Sequence, residues 1–181
     1  VSNSQRCKMC YPAGPWEGTI SHMLRPFFRS AAPLLLAVAL SACSSHSGTK
    51  STASRSPVGV TTGLAHPESV RYDSVADVYY ISNINGDPSA HDNNGSVDIV
   101  SAENFTVIRT LVHGGPDTHL SAPKGLALSG DTLWVADIDT LRAFDKHTGH
   151  VLATIDLVPL HASFLNDVAI GGDGAVYVTD S

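Results

Sequence analysis

The chain has 181 residues, of which 15% are charged, and its formal net charge is −6. That acidic balance argues against nucleic-acid binding, which calls for a basic patch. A hydrophobic content of 43% is ordinary for a globular chain.

The first segment, residues 1–22, opens on Val1 and carries Cys7-Lys8-Met9-Cys10. The CxxC spacing can hold half a zinc site or a redox pair. No second CxxC follows, so no complete metal site is expected. Ser21-His22-Met23 reads as a start codon context or a cloning scar, and either places residues 1–22 outside the mature protein. From Met23 the pattern changes. Arg25 and Arg29 make a short basic segment, and residues 31–42 form an apolar run without charge. The run is too short for a bilayer, which needs about 20 apolar residues. A basic start, a short apolar middle and small residues at the end describe a signal peptide over 23–42, helical or disordered by itself. The run closes on Leu40-Ser41-Ala42-Cys43, which resembles the lipobox of bacterial lipoproteins, in which the Cys is acylated. Cys43 is therefore the expected lipidation site and membrane anchor, and with the other two cysteines removed no disulfide is expected. Ser44-Ser45 after the Cys lacks the Asp that commonly retains lipoproteins in the inner membrane. The expected location is the cell envelope, at the outer membrane facing the periplasm. Residues 43–61, rich in Ser and Thr, read as a flexible tether.

From residue 62 onward the chain shows short β-rich runs separated by turn signals. Within residues 124–157, strands are expected at 125–129, 132–138, 141–145 and 150–157. Gly130-Asp131, Asp139-Thr140 and 146–149 are the expected turns. Four antiparallel strands in about 35 residues make one propeller blade. The unit repeats. "HPESVRYDSVADVYYISN", "APKGLALSGDTLWVADI" and "LNDVAIGGDGAVYVTDS" each hold a polar loop, a short apolar strand, a turn, and an aromatic-bearing strand ending in a polar residue. Lys124 lies 56 residues after Glu68 and 42 before Asn166, with an insert at 84–95 lengthening the first interval. Periods of about 40–50 residues belong to propellers; a β-sandwich is the rival fold. The expected fold class is all-β, a propeller of four-stranded antiparallel blades at about 62–115, 120–160 and 163–181. About two and a half blades do not close a ring of about 4–8, so the chain reads as an N-terminal fragment forming an open, curved stack.

The three repeated stretches together resemble the first half of a six-bladed propeller of the SMP-30/gluconolactonase-like superfamily, with more distant similarity to paraoxonase and diisopropyl fluorophosphatase. The resemblance covers roughly residues 62–181. It implies a calcium ion in the central tunnel and places Glu68 and Asn166 in ligand positions, with Asp167 in the place of a structural-calcium ligand. Hard oxygen donors of this kind suit calcium. Each also has a plain reading: Glu68 as a surface carboxylate, Asn166 as a turn residue bonded to its own backbone. Lys124 departs from the pattern, since paraoxonase has a His at the matching place. A tunnel-lining Lys could bind an anionic substrate, form an ion pair or be solvated. The later-blade ligands are absent, so the fragment is expected to be inactive by itself.

Other motifs carry less. Asp92-Asn93-Asn94-Gly95 lacks the distal Glu of an EF-hand and reads as a tight loop. No His pair has HExxH spacing, and no nucleophile elbow or phosphate loop occurs. Two functions stay open. One is a calcium-dependent hydrolase, lactonase-like, acting on a small lactone or ester by metal polarisation of the carbonyl. The other is a non-catalytic propeller that binds or scaffolds at the envelope; fold alone cannot choose.

Overall fold

The computed structural model describes residues 7–11 and 57–181. The lipobox, Cys43, the signal segment and most of the tether lie outside the described residues. A short strand β1 spans Cys7–Tyr11. Then come β2 (Pro67–Asp73), β3 (Val78–Asn83), β4 (Ser96–Ser101) and β5 (Val107–His113), which form one four-stranded sheet in chain order. β6 (Pro123–Ser129), β7 (Thr132–Asp137), β8 (Thr140–Asp145) and β9 (Val151–Asp156) form a second sheet in the same order. β10 (Leu165–Ile170) and β11 (Val176–Asp180) begin a third, and β1 pairs with the far edge of β11. Every pairing is antiparallel. Among the described residues the only helical turn is a 3₁₀ turn at Val158–Leu160, with Pro159 at its second position.

The fold is all-β, and its sheets are successive blades of a partial propeller. The inner strand of the middle blade, β6, packs against both β2 and β10. The four-stranded antiparallel sheets are those expected from the sequence. Residues 7–11, read from sequence as part of an upstream extension, contribute an edge strand to the third sheet.

One turn falls elsewhere than expected. Asp137 pairs with Thr140, so the turn is Ile138-Asp139 rather than Asp139-Thr140. Ile138 takes φ +50° there and is 3% exposed. A β-branched residue is costly at positive φ. Burial of its side chain against the neighbouring residues offsets that local preference, and no sequence rule for turns would have chosen it.

The register repeats from blade to blade. Pro67 faces Asn83, Pro123 faces Asp137 and Leu165 faces Asp180. Pairing then breaks for two residues and resumes at Val70–Ile81, Leu126–Val135 and Val168–Val178. Each inner strand therefore carries the same bulge near its start, at 68–69, 124–125 and 166–167. A bulge re-aims side chains and ends regular pairing at a sheet rim.

Two apolar layers join the blades. Tyr80, Val97, Ile99 and Leu111 of the first blade pack on Leu126, Leu133, Val135 and Phe144 of the second. Ala127, Ala136 and Leu141 of the second, with Trp134 at the margin, pack on Leu165, Val168, Val176 and Val178 of the third. Buried ion pairing crosses the first layer. The Lys146 ammonium lies 2.9 Å from Asp73 Oδ2, with both side chains buried. Asp73 Oδ1 also accepts the N–H groups of Val75 and Ala76. Burial alone would raise the Asp73 pKa. Lys146 and these two N–H groups outweigh it, so the net shift is downward. Lys146 is shifted upward, chiefly by its hydrogen bond to Asp73.

A carboxyl whose pKa is depressed on folding contributes stability that is present above its unfolded pKa of about 3.9 and lost as pH falls through the lower folded value. Urea unfolding followed from pH 6 to pH 2.5 should show wild-type stability falling below about pH 4. Asp73→Asn should be less stable at pH 6, and its pH dependence should be shallower over that window. Parallel curves for the two proteins would remove this pair from the account of acid sensitivity.

Candidate functional site at the inner strand ends

The bulges set the geometry of the site. Glu68, Lys124 and Asn166 occupy the same position in three consecutive inner strands, and Ser69, Gly125 and Asp167 follow them. Two of the bulges are held from the neighbouring second strand. Ser82 Oγ accepts the N–H of Ser69 at 3.0 Å, and Thr179 Oγ1 accepts the N–H of Asp167 at 2.9 Å. The middle blade has Ala136 at that place and Gly125 in the bulge. A Cβ on Gly125 would sit 2.4 Å from Asp167 Cα and 2.6 Å from the Asn166 carbonyl oxygen. Glycine at 125 thus lets the second inner strand approach the Asn166-Asp167 backbone of the third.

The loop before each inner strand is fixed by the polar residue that ends the second strand. Asn83 Oδ1 accepts the Ala65 N–H at 3.1 Å. Asp137 accepts the N–H groups of Ser121 and Ala122 and pairs with Arg142 Nε at 2.8 Å. Asp180 Oδ1 accepts the N–H groups of Ser163 and Phe164 at 3.1 and 2.8 Å. The sequence shows a polar residue ending each aromatic-bearing strand, which is the signal for these positions, but their role as clamps is visible only in the fold.

The structure brings the four sequence-predicted site residues to one end of the inner strands. Glu68 is exposed, yet its carboxyl is partly screened from water by the protein. That desolvation raises its pKa, Lys124 opposes the shift and Asp167 adds to it. Lys124 is not a solvated lysine: the residue is 2% exposed. Its ammonium donates to the Pro88 carbonyl at 3.0 Å and the Ala122 carbonyl at 3.3 Å. The Phe164 ring centroid lies 4.3 Å away, within cation–π range. Burial lowers the Lys124 pKa, while Asp137 and Glu68 resist that. One side chain thereby ties the first-blade insert, its own loop and the approach to the third blade. Asn166 Nδ2 reaches Ser181 Oγ at 3.4 Å, and Asp167 Oδ1 accepts the N–H of Val168 at 2.8 Å.

Further along, a groove of about 500 Å³ runs across the same three strands. Arg71 and Tyr72 of β2, Ala127 and Leu128 of β6, and Asp167 and Ile170 of β10 line it. Arg71 is anchored there by a 2.8 Å bond from Nε to the Leu126 carbonyl. Sequence reading passed over Arg71, because one Arg in a strand has no local signature.

The insert closes as a tight loop, as expected. Asp92 Oδ2 accepts from Asn94 Nδ2 at 2.8 Å, and Asn85 Nδ2 donates to the Asn94 carbonyl. Asn93 joins it to the following connection through Leu120 N–H, Ser121 Oγ and the Gly115 carbonyl.

Calcium wants about six to eight oxygen ligands. Glu68, Asn166 and Asp167 are three side chains, and the Lys124 ammonium stands beside Glu68. Among the described residues no three His, Cys, Asp or Glu side chains converge as a metal centre. These three side chains supply fewer oxygens than a calcium ion takes.

No family model matches the chain, and no curated protein matches it. Among solved structures, it is similar to the β-propeller domain of Cps50 (Swd1) from Myceliophteria thermophila, at 18% identity and a TM-score of 0.44. That match covers 60% of this chain and 30% of the other, so the chain spans under a third of that protein's length. It is also similar to the computationally designed Ika4 protein, at 20% identity and a TM-score of 0.38, covering 62% of this chain and 64% of that one.

Proposed function

We propose that this chain is an envelope-anchored propeller that binds a small, oxygen-rich molecule at the inner strand ends. One observation carries the reading. Three equivalent bulges present Glu68, Lys124 and Asn166 to one place, and the protonation of Glu68 responds to both Lys124 and Asp167. A buried cation beside carboxylate and amide oxygens suits a ligand that offers both a negatively charged oxygen and hydroxyl groups. The carboxylate and the amide orient hydroxyls, and the ammonium supplies the field for the anion. A polyhydroxy carboxylate such as gluconate has this chemistry and is a suitable probe. Isothermal titration of gluconate should give about tenfold weaker binding to Lys124→Met, a loss of about 1.4 kcal/mol. Circular dichroism should show that the variant keeps its β fold. Equal affinities for the two proteins would remove Lys124 from the site.

A second reading is a calcium-dependent hydrolase, with a lactone or ester as substrate. It is favoured by the nearness of the Glu68 and Asp167 carboxyls, since like charges gain from a shared cation. Glu68, Asn166 and Asp167 would supply only part of the ligand set, and the other oxygens would come from outside the described residues. Calcium titration of wild type and Asn166→Ala tests this. The expected result is weaker binding in the variant; identical curves would leave only the binding reading.

The envelope anchor is proposed on the segment that ends at Cys43. Cys43→Ser, expressed in a bacterial host with radiolabelled palmitate, should lose the label carried by the wild type. Retained label would show that Cys43 is not the acylated residue.

A further inference from the structure

The inner strands carry a second set of equivalent positions. Three residues beyond Glu68, Lys124 and Asn166 stand Arg71, Ala127 and Ala169, and the next positions hold Tyr72, Leu128 and Ile170. Pairing resumes one residue before Arg71, Ala127 and Ala169 in each strand, so the equivalence holds in the ladders as well. The first blade thus has a long cation where the other two have a methyl group. All six residues line the groove of about 500 Å³, together with Asp167. Arg71 and Asp167 are the charged side chains of its wall.

These opposite charges flank the same stretch of β6. Arg71 Nε donates to the Leu126 carbonyl at 2.8 Å, and among the described residues its Nη1 and Nη2 groups have no protein acceptor. Asp167 lies against Gly125, the residue before Leu126: a Cβ there would be 2.7 Å from Asp167 Oδ1. That oxygen accepts the Val168 N–H at 2.8 Å. Among the described residues neither Arg71 nor Asp167 forms an ion pair, with each other or with any other side chain. As a tie between two blades Arg71 needs only its Nε bond. Its remaining donors form a planar fork that matches a carboxylate.

We propose that this groove is a binding site for a zwitterion, an α-amino acid with an apolar side chain. The ligand carboxylate takes the Arg71 fork, its ammonium takes the Asp167 carboxylate, and its side chain lies on Ala127, Leu128 and Ile170. The Tyr72 hydroxyl is engaged by Asp77 at 2.8 Å, which leaves the ring for apolar contact. Each charge also selects against the wrong ligand, because Asp167 repels a simple carboxylate and Arg71 a simple amine. The volume lies within the range of about 300–1,000 Å³ for small-molecule sites. Neither Glu68 nor Lys124 nor Asn166 lines the groove, so its ligand is independent of the one at the strand ends.

Isothermal titration of the full chain with three probes that share one side chain tests this. They are leucine, isocaproate, which lacks the ammonium, and isoamylamine, which lacks the carboxylate. Leucine should bind wild type at least about tenfold more tightly than either analogue. Asp167→Asn should erase the advantage of leucine over isocaproate and keep its advantage over isoamylamine. Arg71→Gln should do the converse, with circular dichroism confirming its β fold, since Arg71 also ties two blades. The wild-type ranking needs no variant and decides the proposal even if Arg71→Gln does not fold. Equal binding of leucine and isocaproate to wild type, or no leucine binding up to about 10 mM, would overturn the proposal. So would an unchanged ranking in Asp167→Asn, which would show that the ammonium is not held there.

Discussion

The clamp at the end of each second strand is the constraint on which this fold depends. Asn83, Asp137 and Asp180 each reach back to one or two N–H groups just ahead of the inner strand of the same blade. Those groups sit where the chain enters a blade, and in the middle blade they are buried away from water. An unsatisfied buried N–H costs about 1–3 kcal/mol, so the clamp decides where the inner strand begins. It also fixes the bulge that follows, because the strand must leave the clamp and rejoin its ladder two residues later. The three bulges then bring Glu68, Lys124 and Asn166 together. Structure and candidate site thus have one origin.

The clamp is strongest in the middle blade. Asp137 is buried and also pairs with Arg142, so it accepts two amides while its charge is balanced. Removing one member of such a buried pair costs about 3–5 kcal/mol, since the partner charge is left behind. Asn83 does the same work without charge, and its amide group turns toward Asp98, itself bonded to Thr110. Lys124 adds a second kind of tie. Its ammonium is held by two carbonyl groups and an aromatic ring, one carbonyl lying in the first-blade insert. This explains how a long loop remains packed over the mouth of the site.

Much of the fold was legible because the hydrophobic period and the turn residues agree in the second blade. Leu126 and Leu128, like Leu133 and Val135, fall at alternate positions of their strands, and Gly130 takes φ +59° at its turn. The alignment of Glu68, Lys124 and Asn166 was equally legible, since the polar loop and aromatic strand recur around them. The Ile138 turn was not, because its conformation is set by what the side chain packs against. Arg71 and the clamps were not assigned either. Their partners lie in another blade or many residues away, and no local pattern encodes that distance.

The sequence by itself determined the blade unit, its repeat and the residues at equivalent positions, because strand alternation and turn chemistry are local properties. The proposed acylation of Cys43 rests on a linear segment alone. The tertiary structure decided that Lys124 is buried and held by three groups, and that the bulges set Glu68, Lys124 and Asn166 at equivalent inner-strand ends. It decided, too, which apolar faces the blades bury against each other. Those outcomes depend on long-range packing and desolvation, which act between segments that the linear order keeps apart.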